Sequence, residues 1–308
     1  MQTCSIMFDL GWRRRFSRGA RVDPALADLL AQLDTAADRN RPIQPGHIET
    51  FAFGHVAQAG VPFPFHAAIA ILRAARLHPR ARVMVFADGV PSGAFWDLVA
   101  SAVELILVAP FERFGKARVV SAHLLMDIVR LLALSRLGGV FAATDMMILQ
   151  ALDALAEYPM VLGTQASVPV GRPTFGSRLA VARRDNPFCR KWLDAYESDV
   201  VVAGESRRND LATRLPVRLY ADNPDLVHVL RHDAWFAPSS PRARQFLFDA
   251  ERADSHAESL TGRLALPLWS DTLANDLAAW TPQRAMTENC LFARLCRDVL
   301  PGSVDDNV

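Results

Sequence analysis

Lysine is almost missing from this chain. Of its 34 Lys and Arg residues only Lys116 and Lys191 are lysines, which beside the abundant alanine reads as a base bias of the genome. A charge excess is missing too. The 34 basic side chains face 33 acidic ones, for a formal net charge of +1. A chain that coats nucleic acid carries more positive excess, so no nucleic-acid partner is expected. The four cysteines, Cys4, Cys189, Cys290 and Cys296, contain no CxxC pair. Neither a zinc site nor a disulfide framework is indicated, and all four read as ordinary thiols. No apolar run approaches the ~20 residues of a membrane span. Arg13-Arg14-Arg15 follows a short apolar start, the reverse of signal-peptide order. The expectation is a cytoplasmic chain without a transmembrane segment. There is no GxSxG nucleophile elbow, and residues 171–176 carry neither GxGxxG nor a P-loop lysine. No internal repeat or low-complexity tract occurs.

What is there is globular. Hydrophobic residues make up 51% of 308 and charged ones 22%, and a chain of this length hides roughly three quarters of its unfolded surface. Asp23-Pro24 opens a helix, Asp as N-cap and Pro in the first turn, with Leu26, Leu29, Leu30 and Leu33 at helical spacing. Residues 39–46 read as a connector. From Ile48 short apolar runs alternate with amphipathic stretches. Residues 48–53 form a strand stopped by Gly54, 67–77 a helix and 83–87 a strand. A short helix over 95–102 and a strand over 105–109 follow. The longest helix runs over 119–137, stopped by Gly138-Gly139 because glycine takes the left-handed cap cheaply, and 140–143 is the next strand. Further on, 160–162, 179–182 and 227–230 read as strands, 187–196 and 288–300 as helices. The polar stretches 198–209 and 253–262 read as loops, the second as mobile. Strands alternating with helices mean an α/β fold with a largely parallel sheet, and such sheets bind ligands beyond the carboxyl ends of their strands.

The informative segment is 122–155. Its helix is apolar around most of its circumference, yet His123, Asp127 and Arg130 fall on one stripe. Charges on a buried helix cost desolvation unless a partner or a ligand matches them. An internal Asp127–Arg130 pair that fixes packing is one reading and a ligand site the other. The strand that follows ends in Thr144-Asp145, at the ligand-binding edge. Asp145 then precedes the apolar run Met146 to Leu149, which is no place for an ordinary surface carboxylate. His228, His232 and Asp233 suggest a metal cluster only weakly, since loop histidines are mostly solvated. Arg207-Arg208 reads as part of a solvated loop.

Asp127-x-x-Arg130, Gly138-Gly139, a strand, Asp145 and Leu152-Asp153-Ala154-Leu155 together resemble the sugar-binding region of DXD-motif glycosyltransferases. The resemblance is to the family 32, α-1,4-galactosyltransferase-like type. It extends more weakly over roughly residues 48–275, through Phe51 to His55, His78-Pro79, Asn186-Pro187-Phe188, Phe236-Ala237-Pro238 and Leu266-Pro267-Leu268-Trp269-Ser270. It implies a GT-A-type fold over 47–285, with an N-terminal helical extension over 1–46 and a C-terminal helix and tail over 286–308. It implies a retaining transferase using a nucleotide-sugar donor, UDP-linked, and a glycan or other acceptor. A divalent cation, Mn2+ or Mg2+, would act as Lewis acid on the diphosphate.

By the same resemblance Asp127, Arg130 and Asp145 are the catalytic candidates. The donor-binding candidates are Phe51, Phe53, Gly54, His123, Asp127, Arg130, Ala143, Thr144 and Trp269. The metal ligands would be Asp145, Ser270 and Asp271. Three positions depart from the family pattern. Ala143 stands where the first Asp of DXD belongs, Ala52 where a base-stacking Trp belongs, with Phe51 or Phe53 available instead, and Pro267 where a His belongs. A degenerate protein that binds a nucleotide, glycan or partner without turnover is the alternative these losses motivate.

Overall fold

The computed structural model describes residues 23–39, 46–165, 174–198, 210–235 and 237–300. Cys4, Arg13-Arg14-Arg15, most of the 39–46 connector, Gly171, the 199–209 stretch with Arg207-Arg208, Phe236 and the Asp305-Asp306 tail lie outside the described residues.

The apolar runs form the strands β1 (Thr50–His55), β2 (Arg82–Ala87), β3 (Glu104–Leu107) and β4 (Gly139–Ala143). The short β5 (Met146–Ile148) is followed by β6 (Met160–Gln165), β7 (Thr174–Ala182), β8 (His228–Leu230) and β9 (Ala265–Pro267). Seven of them make one sheet in the order β8-β6-β7-β4-β1-β2-β3. β1 pairs in parallel with β2 and β4, β2 with β3, and β6 with β8. Only β7 runs antiparallel, to β4 on one side and β6 on the other. The result is the expected α/β class, with a mostly parallel central sheet and helical additions.

Both sheet faces are covered, as crossover helices require of a parallel sheet. On one face Ala52, Met84, Phe86 and Phe141 pack under α1 (Pro24–Asp38), α3 (Ala122–Leu137) and α4 (Pro187–Ser198). On the other, Phe51, Phe53, Val83, Val85, Val140 and Ala142 pack against α2 (Phe65–Leu77). A third cluster joins Phe65 and Ile69 of α2 to Leu266 and Trp280 and to α5 (Ser240–Phe248) and α6 (Leu291–Arg297). Among the described residues no helix is long and apolar enough to cross a membrane.

The start signals read from the sequence operate. The Asp23 carboxylate accepts from the Ala25 N–H at 3.0 Å. Ser121 caps α3, its hydroxyl accepting from the Leu124 N–H at 3.2 Å, so that helix begins at Ala122 and not at Val119. β1 does not stop at Gly54. It continues to His55, and a Cβ on Gly54 would lie 2.8 Å from Met126 Cγ. The glycine lets α3 approach the sheet; it does not end the strand. The stretch 95–102 divides into a helix Ala94–Asp97 and a 3-10 turn Ala100–Ala102. The stretch 253–262, expected to be mobile, contains the helix Ala253–Glu258, pinned by buried Ala253 and by Arg294 on Asp254 at 2.7 Å. The closing helix is limited to Leu291–Arg297.

Gly138 and Gly139 turn the chain from α3 into β4 with φ of +70° and +81°. Gly139 also lies against β1, where a Cβ would stand 2.1 Å from the Thr50 carbonyl oxygen. Gly60 has a similar φ of +74° but open space around it. Gly60→Ala is expected to cost about 1–2 kcal/mol, the backbone penalty alone. Gly139→Ala is expected to cost well above that, about 4 kcal/mol or more, because β1 and β4 must separate. Chemical denaturation of the two variants checks the ordering.

Candidate active site at the carboxyl edge of the sheet

The parallel strands β1, β2 and β4 end on one edge, at His55, Ala87 and Ala143. Asp145 follows β4 in a tight turn and is 3% exposed. The C-terminal part of the chain closes over it. β9 pairs with β5, Pro267 opposite Met146, and the Leu268 N–H donates to the Asp145 carbonyl at 2.8 Å. That places Ser270 on the carboxylate: its N–H and its hydroxyl both donate to Asp145 Oδ2, at 3.1 and 3.0 Å. β7 supplies the cation. Its register sets Leu179 opposite Ala142, so Arg178 emerges beside the end of β4. Arg178 Nη1 donates to Asp145 Oδ2, and Nη2 donates to Asp271 Oδ2 at 3.0 Å. The guanidinium lies 5.1 Å over the Trp269 ring, and Trp269 Nε1 is fixed on the Pro238 carbonyl at 2.9 Å. Asp145 Oδ1 is buried with no hydrogen-bond partner.

Burial alone would push the Asp145 carboxyl up. The Arg178 charge and the two Ser270 donors outweigh it and hold the carboxyl below its ordinary value. Burial likewise opposes the Arg178 charge, but Asp145 and Asp271 together raise its affinity for the proton. His66, on α2, sits in the same field. Burial drives it down to about 4; the Asp145 charge opposes this and His55 reinforces it. Its Nδ1 is buried without a partner. His55 is also lowered by burial, with Asp88 acting against the shift.

A second charged pair reaches β7 from α3. Arg130 Nη1 stands 3.6 Å from Asp127 Oδ1, both side chains buried. The same Nη1 donates to the Ser177 carbonyl, and the guanidinium lies 5.2 Å over Trp192. Arg130 Nε and Nη2 are buried and have no acceptor. Consecutive residues of one strand, Ser177 and Arg178, therefore touch the two clusters.

Several expected residues fall elsewhere. Phe51 and Phe53 are fully buried, their rings stacked at 5.1 Å, with Phe51 also against His78. They have no surface for a base, and that assignment is corrected. Gly54 is filled over by Met126 and Phe141. His123 is exposed at the start of α3, while Asp127 and Arg130 are inside. Ala143 and Thr144 are half-buried at the end of β4, next to Asp145. Trp269 is 6% exposed and stacks on Arg178, so it offers no open face to a sugar.

The metal ligands Asp145, Ser270 and Asp271 do converge, but around a guanidinium. Asp145 Oδ2 already accepts three donors, Asp271 Oδ2 holds Arg178 and its Oδ1 accepts from the Thr272 N–H, Ala143 contributes no side-chain oxygen, and this leaves Asp145 Oδ1, which is buried, as the one carboxylate oxygen of the set without a partner. Among the described residues no group of three His, Cys, Asp or Glu could hold an ion. This donor set does not fit a divalent cation, and the metal-ligand assignment is corrected on that ground. His228 stacks on Tyr158 at 3.8 Å and Asp233 pairs with Arg231 at 3.0 Å; they form no metal cluster.

Sequence reasoning missed Arg178 and His66. Arg178 directly precedes the apolar run 179–182, but only the β4–β7 register puts it beside Asp145. His66 is the second residue of α2, followed by the apolar run Ala67 to Leu72, and that is the one signal it gives.

The family described as a glycosyltransferase sugar-binding region containing a DXD motif matches residues 64–162. Residues 64–162 are glycosyltransferase-like. The stretch contains His66, Asp127, Arg130, Ala143, Thr144 and Asp145. The chain is 24% identical over 256 residues to the glucan organizing enzyme 1 of Cryptococcus neoformans var. grubii serotype A, covering 81% of this chain and 68% of the relative. Two solved structures are looser likenesses. The PaToxG glycosyltransferase has TM-score 0.43 and 14% identity, with 89% of this chain and 94% of that one covered. The galactosyltransferase LgtC, solved with donor and acceptor sugar analogues, has TM-score 0.44 and 14% identity, with 82% and 98% covered.

The His66 shift has a sign that can be measured. Between pH 6.5 and 4 the unfolded chain takes up a proton that the folded chain refuses, so stability falls as pH falls through this window. At about 1.4 kcal/mol per unit, His66 accounts for at most roughly 3 kcal/mol of the loss. Asp145, held low, adds loss in the same direction only at the acid end. Thermal melts at pH 7 and pH 4.5 are expected to show a smaller acid loss for His66→Gln than for the parent chain.

Proposed function

We propose that this chain is a GT-A-type glycosyltransferase. It takes a sugar from a nucleotide-sugar donor, UDP-linked, and transfers it with retention to a glycan or other acceptor. The observation that carries the reading is a coincidence of place. The glycosyltransferase-like stretch contains both the buried Asp145 at the carboxyl edge of the sheet and the buried Asp127–Arg130 pair, and β7 touches both. Arg130 keeps two nitrogens, Nε and Nη2, without acceptors, and buried donors left unpaired are costly. Sugar hydroxyls are matching acceptors, and the Asp127 carboxylate accepts from a hydroxyl in turn. The pair is closed from solvent, and the reading requires it to open to the sugar. The name of the fungal relative favours a glucan-type acceptor and a role in polysaccharide formation.

A second reading has its own observation. Ala143 removes one carboxylate and Arg178 spans the other two, which suits a protein that binds a nucleotide, glycan or partner without turnover. Hydrolysis and transfer assays over a panel of nucleotide sugars separate the readings. The transferase reading expects turnover of one donor, with Asp127→Asn lowering kcat/KM by roughly 100-fold, the scale of a lost charged hydrogen bond at the transition state. Tight donor binding with no turnover on any acceptor selects the second reading. An unchanged kcat/KM in Asp127→Asn removes the sugar-binding role of the pair.

A further inference from the structure

Two carboxylates at the carboxyl edge, one buried and one exposed, converge on a single positive charge, and that charge belongs to the chain itself. Arg178 spans Asp145 and Asp271. Its placement is over-determined: Asp145 is held in turn by the Ser270 N–H and hydroxyl, the Trp269 ring lies against the guanidinium, and Trp269 is tied to Pro238. A guanidinium held over an indole and between two carboxylates is oriented before any ligand arrives.

The two carboxylates are not equivalent. The Asp145 side chain is 5% exposed, so it must keep its counter-charge. The Asp271 side chain is 65% exposed and loses little by turning into water. The Arg178 side chain is itself 21% exposed, and its bond to Asp271 lies on the exposed side of the site. With Nη1 on a fixed carboxylate and Nη2 on a displaceable one, the guanidinium can exchange the second for a phosphate, a group it binds through charge-assisted N–H donors.

We propose that Arg178 is the resident cation of this site and binds the diphosphate of the nucleotide-sugar donor where a divalent metal would otherwise stand. Asp145 is then the residue that positions Arg178, and Asp271 is the internal competitor that the phosphate displaces. The inference rests on the glycosyltransferase reading and adds to it how the donor is held.

Calorimetric titration with UDP, GDP, ADP, CDP and dTDP tests it, each in excess EDTA and again in excess manganese. The parent chain is expected to bind one of these diphosphates with the same affinity in both media. Arg178→Ala is expected to lose at least about tenfold in affinity in both, the scale of a hydrogen bond to a charged group. Arg178→Lys keeps the charge without the fork and is expected to fall between; it decides the matter if the alanine variant does not melt cooperatively. Asp271→Asn is expected to bind more tightly, whereas loss of a metal ligand would weaken binding. Binding by the parent chain that EDTA abolishes would overturn the inference and leave the glycosyltransferase reading standing. So would an affinity unchanged in Arg178→Ala and Arg178→Lys, or weakened in Asp271→Asn. No diphosphate bound in either medium would overturn the reading and the inference together.

Discussion

The antiparallel pairing of β7 on β4 decides what the carboxyl edge of this sheet can do. Every other strand in the sheet runs parallel to a neighbour, and parallel strands deliver their carboxyl ends to the edge. β7 runs the other way, so it brings its early residues to that same edge. There the backbone carbonyl of Ser177 accepts from Arg130, while the side chain of the next residue, Arg178, reaches Asp145. One strand thus joins two buried acidic residues that lie 18 positions apart in the sequence. Slide its register by one and Arg178 would trade faces, leaving Asp145 buried without its counter-charge.

Around that pairing the remaining parts have definite tasks. Gly139 lets β4 lie against β1, and Gly54 lets α3 settle onto the sheet. The short ribbon of β5 and β9 brings the segment that follows β9 back over the Asp145 turn, which is why residues as distant as Ser270 and Asp271 share one site with residues of the central sheet. The low proton affinity of His66 and the high one of Arg178 are two sides of a single arrangement: a buried region that tolerates charge only where it is matched.

Much of this was legible in the sequence because it is local. The alternation of apolar runs and amphipathic stretches gave the class and most elements, and the caps at Asp23 and the Gly138-Gly139 turn act as their chemistry dictates. Asp145 stood out as a carboxylate between two apolar runs. What was not legible depends on which strand lies beside which. Phe51 and Phe53 alternate as on a strand with one open face, but helices cover both faces, and both rings are consumed by the core. Arg178 looked like the polar member of an ordinary alternating strand. Polar composition also misled over residues 253–262, where a helix is held by a distant arginine that no local pattern reveals.

The exposure of Asp271 beside the shielded Arg178 sets an admission threshold. A site with a bare cation would collect any passing anion, including chloride and inorganic phosphate. Here the first claimant is already tethered next door, at an effective concentration that a freely diffusing ion of single charge does not match. Only a ligand that brings several negative oxygens, or that gains binding energy elsewhere on the edge, displaces it. The exposed carboxylate thereby works as a filter on ligand charge, built from one side chain that spends its idle time neutralising the cation it guards.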